Sequence, residues 1–466
     1  MSPSLSWMPD PARLSTPIYR SLARALHDDI VSGTLLPGMK LPPQRRLASF
    51  LGVNLSTVTK AYKISEEEGI TRAVTGRGTF VTASATDTIT IGKGIGDENP
   101  SPADFGSVSA FANYGRLLAP IIRDVAQQSN VTSLLTDSAP TGQPLHKTVA
   151  RHYLARYGIT DFAEDQLTIT SGGQNALTLL LLGLFKAGNR IAVDQFTYAN
   201  FISLARMCHI HLIAIPSDSE GMRPDLLEAA CARERIHGLY LMPDCNNPTG
   251  LQMSRERRIA TAEIAKSHRI LVIEDAYDSF LHTPDPALPS LFSLAPDSTA
   301  YIFSMTKPLS VGLRVAYLVV PPRFRNKITE ALINVTMKTT ALDAEIVTRA
   351  ILSGTADAII LKKRELAHRT NSIFDRLFPS AAPALTADGH RRAQLFRWIA
   401  ITSDISGTHL ERRGLAQGLT FYHSDRFLAG AQSDAQFLRV SMTSINDIGD
   451  FESGLTRLKD FLWEYL

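Results

Sequence analysis

Residues 304–314 read SMTKPLSVGLR. A short β-prone run, Tyr301 to Phe303, leads into this stretch and another, Val315 to Val320, leads out of it, so its polar groups fall between two strands. Working outward, Leu167 to Thr170, Arg190 to Val193, Leu212 to Ile215, Leu239 to Met242 and Ile270 to Ile273 are runs of the same kind. From about residue 100 onward they alternate with helical patterns, which predicts an α/β fold with a largely parallel sheet. Open sheets of this class gather ligands at the carboxyl ends of their strands. The residues just past the runs are therefore where chemistry is expected. They include Ser171-Gly172-Gly173-Gln174 ahead of a helix, Tyr198, Asn247 in CNNPTG, Asp275 and Tyr277 in IEDAYDSF, and Ser304, Lys307 and Arg314 in the opening stretch.

These residue types suit one cofactor. A pyridoxal 5′-phosphate (PLP) site needs a lysine for the Schiff base and a carboxylate to keep the pyridine nitrogen protonated, so that the ring draws electrons. Lys307 and Asp275 answer that need. The ring's O3′ calls for donors, its face for an aromatic group and its phosphate for cationic or hydroxyl groups. Asn247 and Tyr277, then Tyr198, then Ser304 and Arg314, supply these in turn. The glycine turn at 171–174 offers backbone N–H groups and a helix dipole to a phosphate, although such a turn by itself is more often only a turn. Taken singly, each residue is ordinary: a surface lysine, a strand-end aspartate, a solvated arginine. Their joint order and spacing carry the inference.

The first eighty residues have a different texture. In PIYRSLARALHDDIVSG, Ile18, Leu22, Leu26 and Ile30 recur every four positions and Gly33 follows, the stripe and stop of one amphipathic helix. Pro42 and Pro43 mark the start of a second helix with Leu47, Phe50 and Leu51 as its apolar residues and Gly52 as its end. Asn54 or Ser56 is placed to cap a third, with Val58, Ala61 and Ile64 inward and Thr57, Thr59, Lys60 and Lys63 outward. Two short helices joined by a glycine turn read as a helix-turn-helix. Thr75-Gly76-Arg77-Gly78 then turns between two β-prone runs, so Arg77 sits at the tip of a hairpin or wing. A helix presenting hydroxyls and lysines suits the major groove and a basic hairpin suits phosphate. A protein-docking helical domain with a surface hairpin shares the pattern.

The word order is more specific than the pattern. LPPQRRLASFLGVNLSTVTKAYKISEEEGI followed by GRGTFV resembles the GntR family of bacterial regulators. That resemblance implies Arg45, Thr57, Thr59, Lys60 and Arg77 as DNA contacts, with Arg46 a weaker candidate. Leu55 stands where family members often carry arginine, which bears on base preference. NNPTG, IEDAY and SxxK followed by Arg seven residues later resemble fold-type I aminotransferases across roughly residues 100–466. Residue by residue this implies Lys307 as the Schiff-base lysine, Asp275 as partner of the pyridine nitrogen and Asn247 with Tyr277 at O3′. Gly173, Gln174, Ser304 and Arg314 would hold the phosphate. Arg439, in FLRVSM, matches an arginine that binds a substrate's α-carboxylate by a bidentate pair; a fixed surface arginine is the other reading. The two parts in this order resemble the MocR subfamily of GntR regulators, which implies a homodimer arranged head to tail with PLP as effector. Asn246-Asn247 replaces a glutamine-tyrosine pair common before PTG in that subfamily, a departure toward the aminotransferases.

The domain organisation expected is a winged helix-turn-helix over 1–81, a linker over 82–99 and an aminotransferase class I/II-like domain over 100–466. At 466 residues the length allows about three domains. With 44% hydrophobic and 20% charged residues, intrinsic disorder is not expected. The longest apolar stretch, Ala176 to Phe185, is far short of the ~20 residues a bilayer span needs and reads as a buried helix. Met1 to Pro11 has no basic residue and no apolar core, so a secretory signal is not expected and the cytoplasm is the default compartment. Cys208, Cys231 and Cys245 show no CxxC spacing, so neither disulfides nor a metal site is expected and core thiols are the preferred reading. Residues 1–81 hold ten Lys/Arg against six Asp/Glu, a basic balance that fits a nucleic-acid partner for that part.

The leading expectation is a regulator that binds double-stranded operator DNA and responds to PLP or an amino compound, in vitamin B6 or amino-acid and amine metabolism, without physiological turnover. The alternative is a working PLP-dependent aminotransferase carrying a DNA-binding extension. Lys307 does not separate them, because sensing and catalysis both use it, and Arg439 serves an amino-acid effector as well as an amino-acid substrate.

Overall fold

The four-residue stripe folds as predicted: α1 (Ile18–Val31) buries Leu22, Leu26 and Ile30 against α2 (Gln44–Leu51) and α3 (Leu55–Glu67). The computed structural model describes residues 7–11, 14–31, 35, 39–67, 70–74, 78–82, 103–136, 139–282, 288–381, 393–402, 407–430, 433 and 435–466. Gly52 closes α2 at φ 64° with its N–H on the Ala48 carbonyl, the left-handed stop that glycine permits at least cost. Phe50, one of the apolar residues that mark this helix in the sequence, is 46% exposed. At roughly 100° per residue it turns off the stripe of Leu47, Ala48 and Leu51, of which the first two are buried. Strands β1 (Thr71–Val74) and β2 (Gly78–Val81) pair antiparallel, Thr71 opposite Val81. Residues 39–41 add a third segment, because Leu41 N–H donates to Thr79 O (2.8 Å) and Val81 N–H to Met39 O (2.9 Å).

All seven β-prone runs join one sheet. Its strands are β3 (Leu167–Thr170), β4 (Arg190–Asp194), β5 (His211–Ile215), β6 (Gly238–Leu241), β7 (Leu271–Asp275), β8 (Thr299–Ser304) and β9 (Ala316–Val319), in the order β3-β9-β8-β7-β6-β4-β5. Only β9 runs against its neighbours, so the largely parallel sheet is as expected. Strands β3, β6, β7, β8 and β9 are buried along their whole length, the reason they read as continuous apolar runs rather than alternating ones. One face carries Ala192, Leu239 and Val272, the other Val193, Tyr240 and Ile273. The apolar stretch from Ala176 lies in the helix Gly173–Leu184, buried except at Thr178, Leu182 and its carboxyl end. A second, antiparallel sheet, little signalled in the sequence, is built from β10 (Phe396–Ile401), β11 (Tyr422–His423) and β12 (Gln436–Ser441), with β12 central.

The chain divides into two compact units, Met1–Pro100 with Asp404–Arg413, and Ser101–Ser403 with Gly414–Leu466. Of the three free cysteines only Cys245 is a core thiol; Cys208 and Cys231 are half-buried. Among the described residues no helix is long and apolar enough to cross a membrane.

Candidate cofactor pocket and DNA-reading surface

The sheet brings the sequence-predicted residues to one edge. Asp275 ends β7, Lys307 lies three residues past β8, Tyr198 caps the helix that follows β4, and Gly173 opens the helix that follows β3. Arg314 reaches the same edge because β9, which it precedes, runs the opposite way. Lys307 Nζ donates to the Val108 carbonyl at 2.7 Å. Burial, then the positive charges of Arg439 and Arg314, lower its pKa to about 8. Asp275 accepts from the Tyr240 hydroxyl at 3.1 Å, and burial raises its pKa to about 7. Burial and the Asp275 charge together push the Tyr198 hydroxyl up to about 12, against the opposing pull of Arg439 and Arg314. Lys307, Asp275, Tyr198, Arg314 and Arg439 thus belong to one electrostatic neighbourhood.

The glycine turn packs against the two residues expected at a phosphate. Gly172 has φ 85°, and a Cβ there would lie 2.8 Å from Arg314 Nη2; one on Gly173 would lie 3.7 Å from Ser304 Cβ. Gln174 Oε1 is buried without a hydrogen-bond partner. The residues expected at O3′ already have engagements: Tyr277 donates to the Cys245 carbonyl (3.0 Å) and Asn247 Oδ1 accepts from Arg439 Nη1 (3.1 Å). Arg439 is not a surface arginine. It is 5% exposed, its second Nη donates to Gly106 O at 2.6 Å, and Phe396, Phe427 and Tyr422 surround the guanidinium with ring centroids 4.5, 4.8 and 5.1 Å away. Its Nε is buried without a partner, and burial lowers its pKa to about 10.

Lys363 was missed. Fully buried on the helix Thr355–Leu377, it donates to the carbonyls of Lys307 (2.8 Å) and Leu309 (3.1 Å). Burial and then the Lys307 charge lower its pKa to about 7. The legible signal is a lysine on the apolar stripe of Ile359, Ile360, Leu366 and Ala367, where a core residue is expected.

On the small unit, Arg45 and Arg46 on α2 and Thr59 and Lys60 on α3 are exposed and Thr57 is half-buried. The Thr59 hydroxyl has Gln44 Oε1 at 2.8 Å and its own turn's Leu55 O at 3.0 Å. Lys60 Nζ stands 5.7 Å from the centroid of the Tyr19 ring. Arg77 lies outside the described residues. Lys40, which sequence reasoning passed over, is exposed and bridges to Phe80 beside the wing, its Cε 2.8 Å from where a Gly78 Cβ would stand.

Residues 18–81 match the bacterial regulatory proteins of the gntR family, and residues 120–377 match aminotransferase class I and II. The HTH-type transcriptional regulator YdeF of Bacillus subtilis (strain 168) is 34% identical over 460 residues, 98% of this chain and 97% of that protein. The probable rhizopine catabolism regulatory protein MocR of Rhizobium meliloti is 26% identical over 332 residues, 66% of each chain. Among solved structures, the α-aminoadipate aminotransferase LysN of Thermus thermophilus, complexed with N-(5′-phosphopyridoxyl)-L-leucine, superposes with a TM-score of 0.69 at 24% identity. The match covers 78% of this chain and 92% of LysN. The chain belongs to the MocR subfamily of GntR-family transcriptional regulators, with a helix-turn-helix unit joined to an aminotransferase class I/II-like domain of fold type I.

Proposed function

We propose that this regulator binds PLP at the sheet edge of the large unit, binds operator DNA through the small unit, and changes its DNA affinity with the state of the PLP pocket. The observation that carries the proposal is the convergence of Lys307, Asp275 and the Arg314–Gly172 contact on one edge of the sheet. The residues fit the cofactor. The Gly172-Gly173 turn lies against Arg314 and Ser304 at a helix N-terminus, which suits a phosphate. A buried donor left without a partner, Arg439 Nε, costs about 1–3 kcal/mol unless a ligand oxygen accepts from it.

PLP, when bound, supplies an electrophilic carbonyl and an electron-withdrawing ring. Lys307, its pKa lowered to about 8, presents a neutral amine over an accessible pH range. Asp275, in its ionised form, would hold a proton on the pyridine nitrogen. Tyr198 would offer its ring as a wall, and Asn247 and Tyr277 would face O3′. Arg439 receives the carboxylate of an amino-acid effector through the guanidinium edge that carries Nε. Lys363 holds the turn that carries Lys307. Arg45, Arg46, Thr57, Thr59, Lys60 and Arg77 contact the duplex, and the working unit is a cytoplasmic head-to-tail homodimer. Coupling between two such sites typically amounts to about 1–3 kcal/mol.

Likeness to a transcriptional regulator along 98% of the chain supports this reading over a transaminase with an extension. The test is an absorbance spectrum with and without PLP, paired with binding to the protein's own upstream DNA under both conditions. A visible absorbance band with PLP-dependent DNA affinity is expected. Sustained turnover with a keto-acid acceptor and no DNA binding at any salt concentration would replace the regulator with the enzyme.

A further inference from the structure

The order of the main sheet reverses at one point. From β4 the chain moves outward to β5, whereas from β6 it continues the other way to β7. The connecting helices lie on opposite faces: Ala199–Met207 packs with Val193 and Tyr240, and Arg255–Ser267 packs with Ala192 and Leu239. A crevice beyond the carboxyl ends of β4 and β6 is the expected result, and such switch points are where open α/β sheets bind ligands. A cavity of about 400 Å³ opens there, bounded by Asp194 at the end of β4, by Leu241 and Met242, and by edge strand β10. That volume lies within the ~300–1,000 Å³ of small-molecule sites. Lys307, Asp275, Tyr277 and Arg439 do not line it, so it is distinct from the pocket proposed for PLP.

Its lining has a definite chemistry. Phe196, Trp398 and Phe437 form an aromatic wall, with Phe196–Trp398 centroids 5.4 Å apart and Trp398–Phe437 stacked at 5.0 Å. Asp194 is 6% exposed. It accepts from Ser217 Oγ (2.9 Å), Asn246 Nδ2 (3.0 Å) and the Met222 backbone, all neutral donors, and no cation among the described residues pairs with it. The other charges at the cavity are matched: Asp218 by Arg257 at 2.6 Å, and Arg397 by Asp375 at 3.1 Å with Gln394 also accepting from it. Buried charges are ordinarily paired, and an aromatic wall beside a carboxylate suits an organic cation. Burial raises the Asp194 pKa to about 6, which leaves it ionised at neutral pH.

We propose that this cavity is a second ligand site, which takes an amine carried on an apolar body of arylalkylamine size, its ammonium on Asp194 and its body on Phe196, Trp398 and Phe437. Asn246 reaches Asp194 while the next residue, Asn247, reaches Arg439, so an occupant shares one loop with the neighbouring pocket.

The test is calorimetric titration of the full-length, PLP-free protein with phenethylamine. Saturable binding is expected, retained in Lys307→Ala, weakened about tenfold or more in Asp194→Asn and blocked in Ser219→Trp, which fills the cavity from an exposed position. Titration with 3-phenylpropionate, similar in size and opposite in charge, is expected to give no binding. Absence of phenethylamine binding, equal binding by Asp194→Asn and Ser219→Trp, equal binding of the anion, or loss of binding in Lys307→Ala would each overturn the proposal. Binding that Ser219→Trp blocks and Lys307→Ala retains separates this site from the PLP pocket, because Ser219 lines this cavity and Lys307 does not.

Discussion

The surface of α2 and α3 and the edge of the large sheet both carry side chains with a proposed function, under opposite physical conditions. Arg45, Arg46 and Lys60 stand in solvent, where charges act nearly independently and salt screens them. Lys307, Asp275, Arg439 and Lys363 are enclosed by the sheet and its helices, and burial is the leading cause of each pKa displacement there. Changes at the first region should therefore be additive and salt-sensitive. At the second they should be coupled and pH-sensitive.

The largest expected effect is at the enclosed site. Lys307→Ala should abolish the visible absorbance band formed with PLP while far-UV circular dichroism stays unchanged; a retained band would break the assignment. On the exposed surface, Arg45→Ala should weaken operator binding and reduce the slope of log affinity against log salt by about 1, read by fluorescence anisotropy at several salt concentrations. An unchanged slope would remove Arg45 from the interface.

Asp275 sharpens the contrast through pH. Its pKa of about 7 in the fold lies above the roughly 3.9 of an unfolded chain, so the native state holds the proton more tightly between those values. Stability of the PLP-free protein should accordingly fall as pH rises from about 4 to about 7 and level off above. Asp275→Asn should flatten that slope in urea titrations, leaving the part due to Glu274 and Asp194, whose pKa values burial also raises, to about 7 and about 6. An identical slope in the variant would show that Asp275 does not titrate there. The smallest effect is expected from Lys40→Ala, a loss in DNA affinity of less than about 1 kcal/mol with unchanged wing stability; equal affinity would confine Lys40 to packing on Phe80.

Much of both regions was legible because its signals are local. The four-residue stripe of α1 and the apolar runs of β3 to β9 are written in neighbouring residues, and backbone geometry converts those periods directly into helix and strand. Asp275 and Lys307 were legible as strand-end residues for the same reason. The apolar stripe around Lys363 signals its burial but not its role, because its partners are the carbonyls of residues 307 and 309, and no local pattern records a contact across that separation. The exposure of Phe50 was not legible, because apolar character alone does not say which side of a two-turn helix faces the core.

The sequence by itself determined a basic helix-turn-helix ahead of an α/β domain, and the positions beyond strand ends of the residues proposed for a PLP site. Tertiary structure alone decided that β9 runs backwards and so delivers Arg314 to the Gly172 turn, and that three aromatic rings bury Arg439 beside Asn247. It also decided that β4 and β6 part to leave a cavity over Asp194. The physical reason is common to these: strand order and burial are set by contacts between residues far apart in the chain, and only packing brings them within reach.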